Sequence, residues 1–253
     1  MIPRSQVLDQ RAIFCYTKLS YLQKRAKKGE WPVIRGAIFD ADGTLLDSMG
    51  MWDTVGVRYL ASLGIEAQPG LRAILFPMSL AQCAVYLKDA YELPLSHREI
   101  EDGINGVIRD FYRHQVKAKP GAKEFLEGLR CHGVGITLAT ATDRSVIVEG
   151  LVTAGLLPLL DEIYTCGELG VDKRSPEIYH RARDRMGTRT GETWVFEDAV
   201  HGAKTAFLAG YRVAGVADPY SDQEALKTVS HLYLPDLTQV DAFYRQAMEF
   251  DKG

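Results

Sequence analysis

The chain has 253 residues, 46% of them hydrophobic and 25% charged, with a formal net charge of −3. That length supports a substantial core, and that composition excludes a disordered, collagen-like or disulfide-stapled chain. No apolar run reaches the roughly 18–20 residues that span a bilayer, and the charge balance carries no nucleic-acid signature.

The charge is unevenly placed. Residues 1–30 hold Arg4, Arg11, Lys18, Lys24, Arg25, Lys27 and Lys28 against Asp9 and Glu30, a net of +5 that leaves −8 for the remainder. This segment lacks the apolar run and cleavage site of a signal peptide. Leu8, Ala12, Cys15, Leu19, Leu22 and Ala26 form a helical stripe instead. The reading is a basic N-terminal extension, either an accessory helix lying on the body or a segment with no role; a partner-binding or membrane-surface helix is the alternative. Cys15, Cys83, Cys131 and Cys166 are widely spaced and suggest neither a zinc site nor a redox motif. With no export signal, the expectation is a cytoplasmic protein with reduced thiols.

From Val33 onward, strands and helices alternate. Short apolar runs at 33–39, 134–139, 162–165, 193–196 and 212–216, with another at 231–234, predict strands. Helices are predicted from Gly121 to Cys131, Asp143 to Ala154, Pro176 to Met186 and Ala199 to Ala209; the last three end at glycine. Near-continuous apolar strands separated by helices predict a Rossmann-like α/β fold, a parallel sheet with helices on both faces. Residues 49–117 interrupt the pattern with three helical stripes. These are Trp52, Val55, Tyr59, Leu60 and Leu63; Leu80, Ala84, Leu87 and Tyr91; and Ile100, Ile104, Val107, Ile108 and Phe111. The expected organisation is a core of 31–48 and 118–245, with a helical cap domain at 49–117 inserted into it. Trp52, Tyr59 and Tyr91 are expected in the cap core, and Lys117 to Gly121 has linker composition.

Polar residues collect at the carboxyl ends of the predicted strands, where open α/β sheets bind ligands. Asp40 and Asp42 follow the first strand, Thr140 ends the second, Lys173 follows the third, and Glu197 and Asp198 follow the fourth. Converging carboxylates repel one another unless a cation lies between them, and oxygen-only ligands favour Mg²⁺ over zinc. A calcium loop is rejected, because its sixth and twelfth positions would be Leu45 and Met51. Asp143 reads as a helix-start residue, and the histidines show no metal-ligand spacing.

The run Phe39-Asp40-Ala41-Asp42-Gly43-Thr44-Leu45-Leu46-Asp47-Ser48 resembles the signature of the haloacid dehalogenase superfamily, in its phosphatase branch. Thr140 in Leu138-Ala139-Thr140-Ala141-Thr142 resembles its second motif, Lys173 before Pro176-Glu177-Ile178-Tyr179 its third, and Glu197-Asp198 its acidic fourth. Ala41 and Arg174 depart mildly from the usual pattern. The resemblance implies a phosphatase with Asp40 as nucleophile and Asp42 as acid and base. It implies Mg²⁺ held by the Asp40 side chain, the Asp42 carbonyl and Asp198, with Glu197 as a direct or supporting partner. It also implies Thr140, Ala141 and Lys173 as binders of the phosphoryl oxygens.

Dehalogenases of the superfamily lack an acid two residues after the nucleophile, so Asp42 argues for phosphoryl transfer. The overall likeness is to the β-phosphoglucomutase and phosphoglycolate phosphatase-like group. Its mutases carry a cap histidine at the position of Trp52 and a cap arginine near Leu80. Both are absent here. The expected function is hydrolysis of a small phosphorylated metabolite, with a mutase or a non-catalytic phosphate-binding protein as alternatives.

Overall fold

A computed structural model describes residues 34–75 and 78–250, with side chains described as far as residue 247. The basic segment 1–30 lies outside the described residues. Strands β1 (Gly36–Phe39), β4 (Gly135–Thr140), β5 (Glu162–Thr165), β6 (Thr193–Glu197), β7 (Arg212–Val216) and β8 (Leu232–Leu234) form one sheet. Its order is β5-β4-β1-β6-β7-β8, and every pairing is parallel. Antiparallel β2 (Leu46–Asp47) and β3 (Lys117–Ala118) make a separate two-stranded ribbon.

The helices are α1 (Met49–Ser62), α2 (Leu71–Leu75), α3 (Leu80–Ala90), α4 (His97–His114), α5 (Ala122–Cys131), α6 (Arg144–Thr153), α7 (Cys166–Leu169), α8 (Glu177–Met186), α9 (Val200–Leu208), α10 (Gln223–Thr228) and α11 (Val240–Phe250). Helices α1 to α4 lie between the two strands of the ribbon.

Strand alternation sorts the core into two layers. Ala37, Phe39, Trp194 and Phe196 face one cluster, where Phe125 of α5 and Phe243 of α11 pack on them. Phe39 and Phe196 stack across neighbouring strands, with centroids 4.2 Å apart. Ile38 and Val195 face the opposite cluster, with Ile178 and Ala182 of α8 and Ala203 and Ala206 of α9. The first cluster continues without a break into the cap through Tyr59, Leu60, Leu87, Ile104 and Ile108.

Serine-led capping boxes start α3 (Ser79 with Gln82) and α4 (Ser96 with Glu99). The stripes of α3 and α4 bury Ala84, Leu87, Ile100, Ile104, Ile108 and Phe111. In α1 the expectation needs correction. Tyr59 and Leu60 are buried, but Trp52 is 37% exposed and Leu63 is exposed, and Met51 and Gly56 are buried in their place. Cys83 and Cys166 are free thiols, whereas Cys131 is disulfide-bonded, which corrects the expectation of reduced cysteines throughout. No described helix is long and apolar enough to cross a membrane.

Candidate active site

The register of β1 against its neighbours builds the site. Phe39 pairs with both Leu138 and Phe196, and the Asp40 N–H continues the ladder by donating to the Phe196 carbonyl at 2.9 Å. Asp40 therefore stands level with Glu197 at the carboxyl edge of the sheet, with Asp198 one residue on. After Asp40 the chain turns tightly. The N–H groups of Leu45 and Leu46 donate to the Ala41 carbonyl at 2.9 and 2.8 Å, and that of Gly43 to the Leu46 carbonyl at 3.0 Å. Gly43 has φ +82°, and a Cβ there would lie 2.4 Å from Asp198 Oδ2. Glycine thus satisfies both the left-handed backbone and the close approach of the carboxylate.

Asp40, Glu197 and Asp198 are buried, and each offers a carboxylate oxygen within 4.8 Å of the others. Lys173, also buried, ion-pairs with Asp40 Oδ1 and lies 2.6 Å from Glu197 Oε1. The Tyr179 hydroxyl donates to the same Glu197 oxygen at 2.8 Å, while buried Glu197 Oε2 has no hydrogen-bond partner. Asp198 accepts from Thr44 at 3.3 Å and from Ser221 at 2.8 Å.

The electrostatics follow from this crowding. Burial pushes Asp198 up, and Asp40 and Glu197 push it further. Burial also raises Glu197, with Lys173 opposing and Asp40 adding to the rise. Burial alone would lower the Lys173 ammonium, but Asp40 and Glu197 more than offset it, so the residue stays charged. Three carboxylates share one ammonium and one orphaned oxygen. That donor set suits a hard cation, and these residues could hold one.

Asp42 is placed differently. Its side chain leaves the carboxylate cluster and accepts from Ser48 at 2.6 Å, from Thr142 at 2.6 Å, and from Tyr112. Burial and then Asp40 raise its pKa, and the three hydroxyl donors pull it back. Tyr112 comes from α4, so the cap itself reaches the candidate acid. The Trp52 indole N–H donates to the Tyr112 hydroxyl at 3.0 Å, which gives Trp52 a place beside the site rather than in the cap core. Burial, and then the adjacent Asp42, raise the Tyr112 phenol far above its usual range, so it remains a donor.

Thr140 is buried at the end of β4, where its hydroxyl accepts from the Thr142 N–H at 3.1 Å; Ala141 is exposed beside it. Asp143 occupies the N-cap position of α6 without a side-chain capping bond.

Four contacts escape a reading based on spacing. Ser48, Thr142 and Tyr179 sit inside the motif stretches but carry no signature of their own. Tyr112 continues the α4 stripe one residue past Phe111, and only cap docking reveals its role.

The parallel sheet thus carries an acidic edge, and four helices are inserted between β2 and β3. The family model for haloacid dehalogenase-like hydrolases matches residues 37–216, and the chain belongs to that family. Among its relatives, the bifunctional riboflavin kinase/FMN phosphatase of Arabidopsis thaliana is 26% identical over 200 residues, 78% of this chain and 50% of that protein. The chain thus spans half the length of that relative. The phosphorylated carbohydrates phosphatase of Thermotoga maritima is 25% identical over 194 residues, 76% of this chain and 90% of that protein. A haloacid dehalogenase family hydrolase from Deinococcus radiodurans R1, solved with bound phosphate and sodium, shares the fold. Its TM-score is 0.67 at 23% identity, over 85% of this chain and 97% of that one.

Proposed function

We propose that this chain is a Mg²⁺-dependent phosphatase that hydrolyses a small organic phosphate monoester through an aspartyl-phosphate on Asp40. One observation carries the reading. A buried carboxylate beside a lysine and two further carboxylates stands two residues from a second aspartate that the cap holds apart from them. Phosphatases among the relatives support it.

In this reading the Asp40 carboxylate attacks phosphorus, and the ester oxygen leaves with a proton from Asp42. Water then attacks the aspartyl-phosphate, and Asp42 takes its proton, which frees phosphate and restores Asp40. Lys173, Thr140 and the backbone at Ala141 bind the phosphoryl oxygens. The residues fit a divalent cation: Asp40, Asp198 and the Asp42 carbonyl would hold it, with Glu197 directly bound or supporting them. Such an ion supplies charge compensation between the anionic nucleophile and the phosphate. The substrate class, a small phosphorylated metabolite, belongs to the same proposal.

Phosphate release from p-nitrophenyl phosphate and a broad panel of phosphate esters tests it. The expected result is release that requires Mg²⁺ and stops on chelation. No release across the panel would favour a phosphate-binding protein instead.

A further inference from the structure

A partly open cavity of about 420 Å³ lies between α1, α2, α3 and α4. Its walls are apolar: Val55, Gly56, Leu75, Leu80, Leu87 and Ile108. Among the described lining residues, charge comes from Asp53 and Arg72, which ion-pair although buried Asp53 Oδ2 accepts no hydrogen bond, and further polarity comes from exposed Asn105 and the Tyr220 phenol.

Three further lining residues tie the cavity to the reacting groups. Trp52 donates to Tyr112, which donates to Asp42. Met49 Cγ packs 3.0 Å from the point where a Cβ on Gly43 would stand. Tyr220, from the loop after β7, immediately precedes Ser221, the donor to Asp198. Trp52 and Tyr220 are also exposed, at 37% and 49%, so two aromatic rings of the cavity lining reach solvent.

We propose that this cavity receives the alcohol portion of the substrate and that this portion is apolar, an alkyl or aryl group rather than a sugar. The inference rests on the phosphatase reading above and specifies its substrate class. Size permits it, since an apolar cavity of about 150 Å³ already admits benzene. Polarity selects it. A sugar's several hydroxyls would outnumber the few polar groups on these walls, so most would lose water without gaining a hydrogen-bond partner, whereas a methylene gains by leaving water.

The experiment measures kcat/KM for ethyl, butyl and hexyl phosphate and for a hexose 6-phosphate. Alkyl leaving groups of similar basicity keep the chemical step comparable. The expected result is a rise of roughly threefold per added methylene and a preference for hexyl phosphate over the hexose ester. Val55→Phe and Cys83→Phe fill the cavity from different helices, and each should bring the hexyl-to-ethyl ratio towards one. The ratio cancels any general loss of turnover. Ethyl phosphate turned over with a flat series, or a preference for the hexose ester, overturns the apolar assignment and leaves the phosphatase reading standing. An unchanged ratio in both variants, with melting transitions like the parent's, also overturns it. No turnover of any ester overturns both.

Discussion

Asp42 accepts from three hydroxyls that arrive from separate parts of the chain: Ser48 before α1, Thr142 after β4, and Tyr112 on the cap. Such a carboxylate is aimed rather than free, and aim matters for proton transfer. Asp42→Ala should slow turnover by roughly 10²–10⁴-fold, the usual contribution of general acid–base catalysis, while the protein stays folded. Tyr112→Phe removes only one donor, and a hydrogen bond to a charged group corresponds to roughly tenfold to hundredfold. If Tyr112 positions the acid, the loss in kcat/KM, which reports the first phosphoryl transfer and not the shared hydrolysis of the aspartyl-phosphate, should fall on alkyl phosphates, whose leaving oxygen needs a proton. p-Nitrophenyl phosphate, which needs none, should be spared. Equal losses on both esters would assign Tyr112 a packing role alone. Packing is a real competitor: a Cβ at buried Gly150 of α6 would lie 2.6 Å from Tyr112 Cδ1, so the ring is seated closely against the core.

At the scale of elements, the two-stranded ribbon forms the joint between cap and sheet. Lys119 follows its second strand and donates to the Gly43 carbonyl at 2.7 Å, the Ala217 carbonyl at 2.7 Å and Asp218 at 2.8 Å. All three ammonium donors are used, and they fasten the ribbon to the turn after Asp42 and to the loop that carries Tyr220 and Ser221. Lys119→Met would leave a buried carboxylate and two carbonyls without this partner. It should destabilise the protein by about 3–5 kcal/mol in urea unfolding, the usual cost of breaking a buried pair. A loss below about 1 kcal/mol would mean that water replaces the ammonium. Composition read Lys117 to Gly121 as a linker and could show none of this, because two-residue strands have no periodicity and Lys119 finds its partners 76 to 99 positions away. The long sheet strands were legible because their apolar runs end abruptly in polar residues. The first cap stripe was misread at Trp52, because helical spacing cannot distinguish a core face from one turned towards a cleft.

Across the whole molecule, one apolar cluster runs from the sheet into the cap, so the carboxylate edge is built by packing that the ion does not supply. The motif residues were legible as chemistry, but their convergence depends on the strand order, with β1 between β4 and β6. Convergence has a cost in the metal-free protein. Burial, and then the Asp40 carboxylate beside them, raise Glu197 and Asp198, so above their ordinary range, near pH 4, the native state holds more protons than the unfolded chain. Stability without a divalent cation should therefore fall as pH rises from there through the raised values. At neutral pH, Mg²⁺ at about 100 times its dissociation constant should add about 2.7 kcal/mol. That corresponds to on the order of 5–10 °C in the melting transition of a chain this size. Asp198→Asn should abolish most of that shift, and a full shift in the variant would place the ion elsewhere.

The covalent role of Asp40 is tested most directly by trapping the intermediate. A single turnover of a phosphate ester, quenched in acid and digested, should yield a peptide carrying one phosphoryl group on Asp40. Asp40→Asn should yield no such peptide and no turnover while remaining folded. A phosphoryl group on another residue would contradict the covalent role assigned to Asp40. So would sustained phosphate release from a verified Asp40→Asn protein free of deamidation.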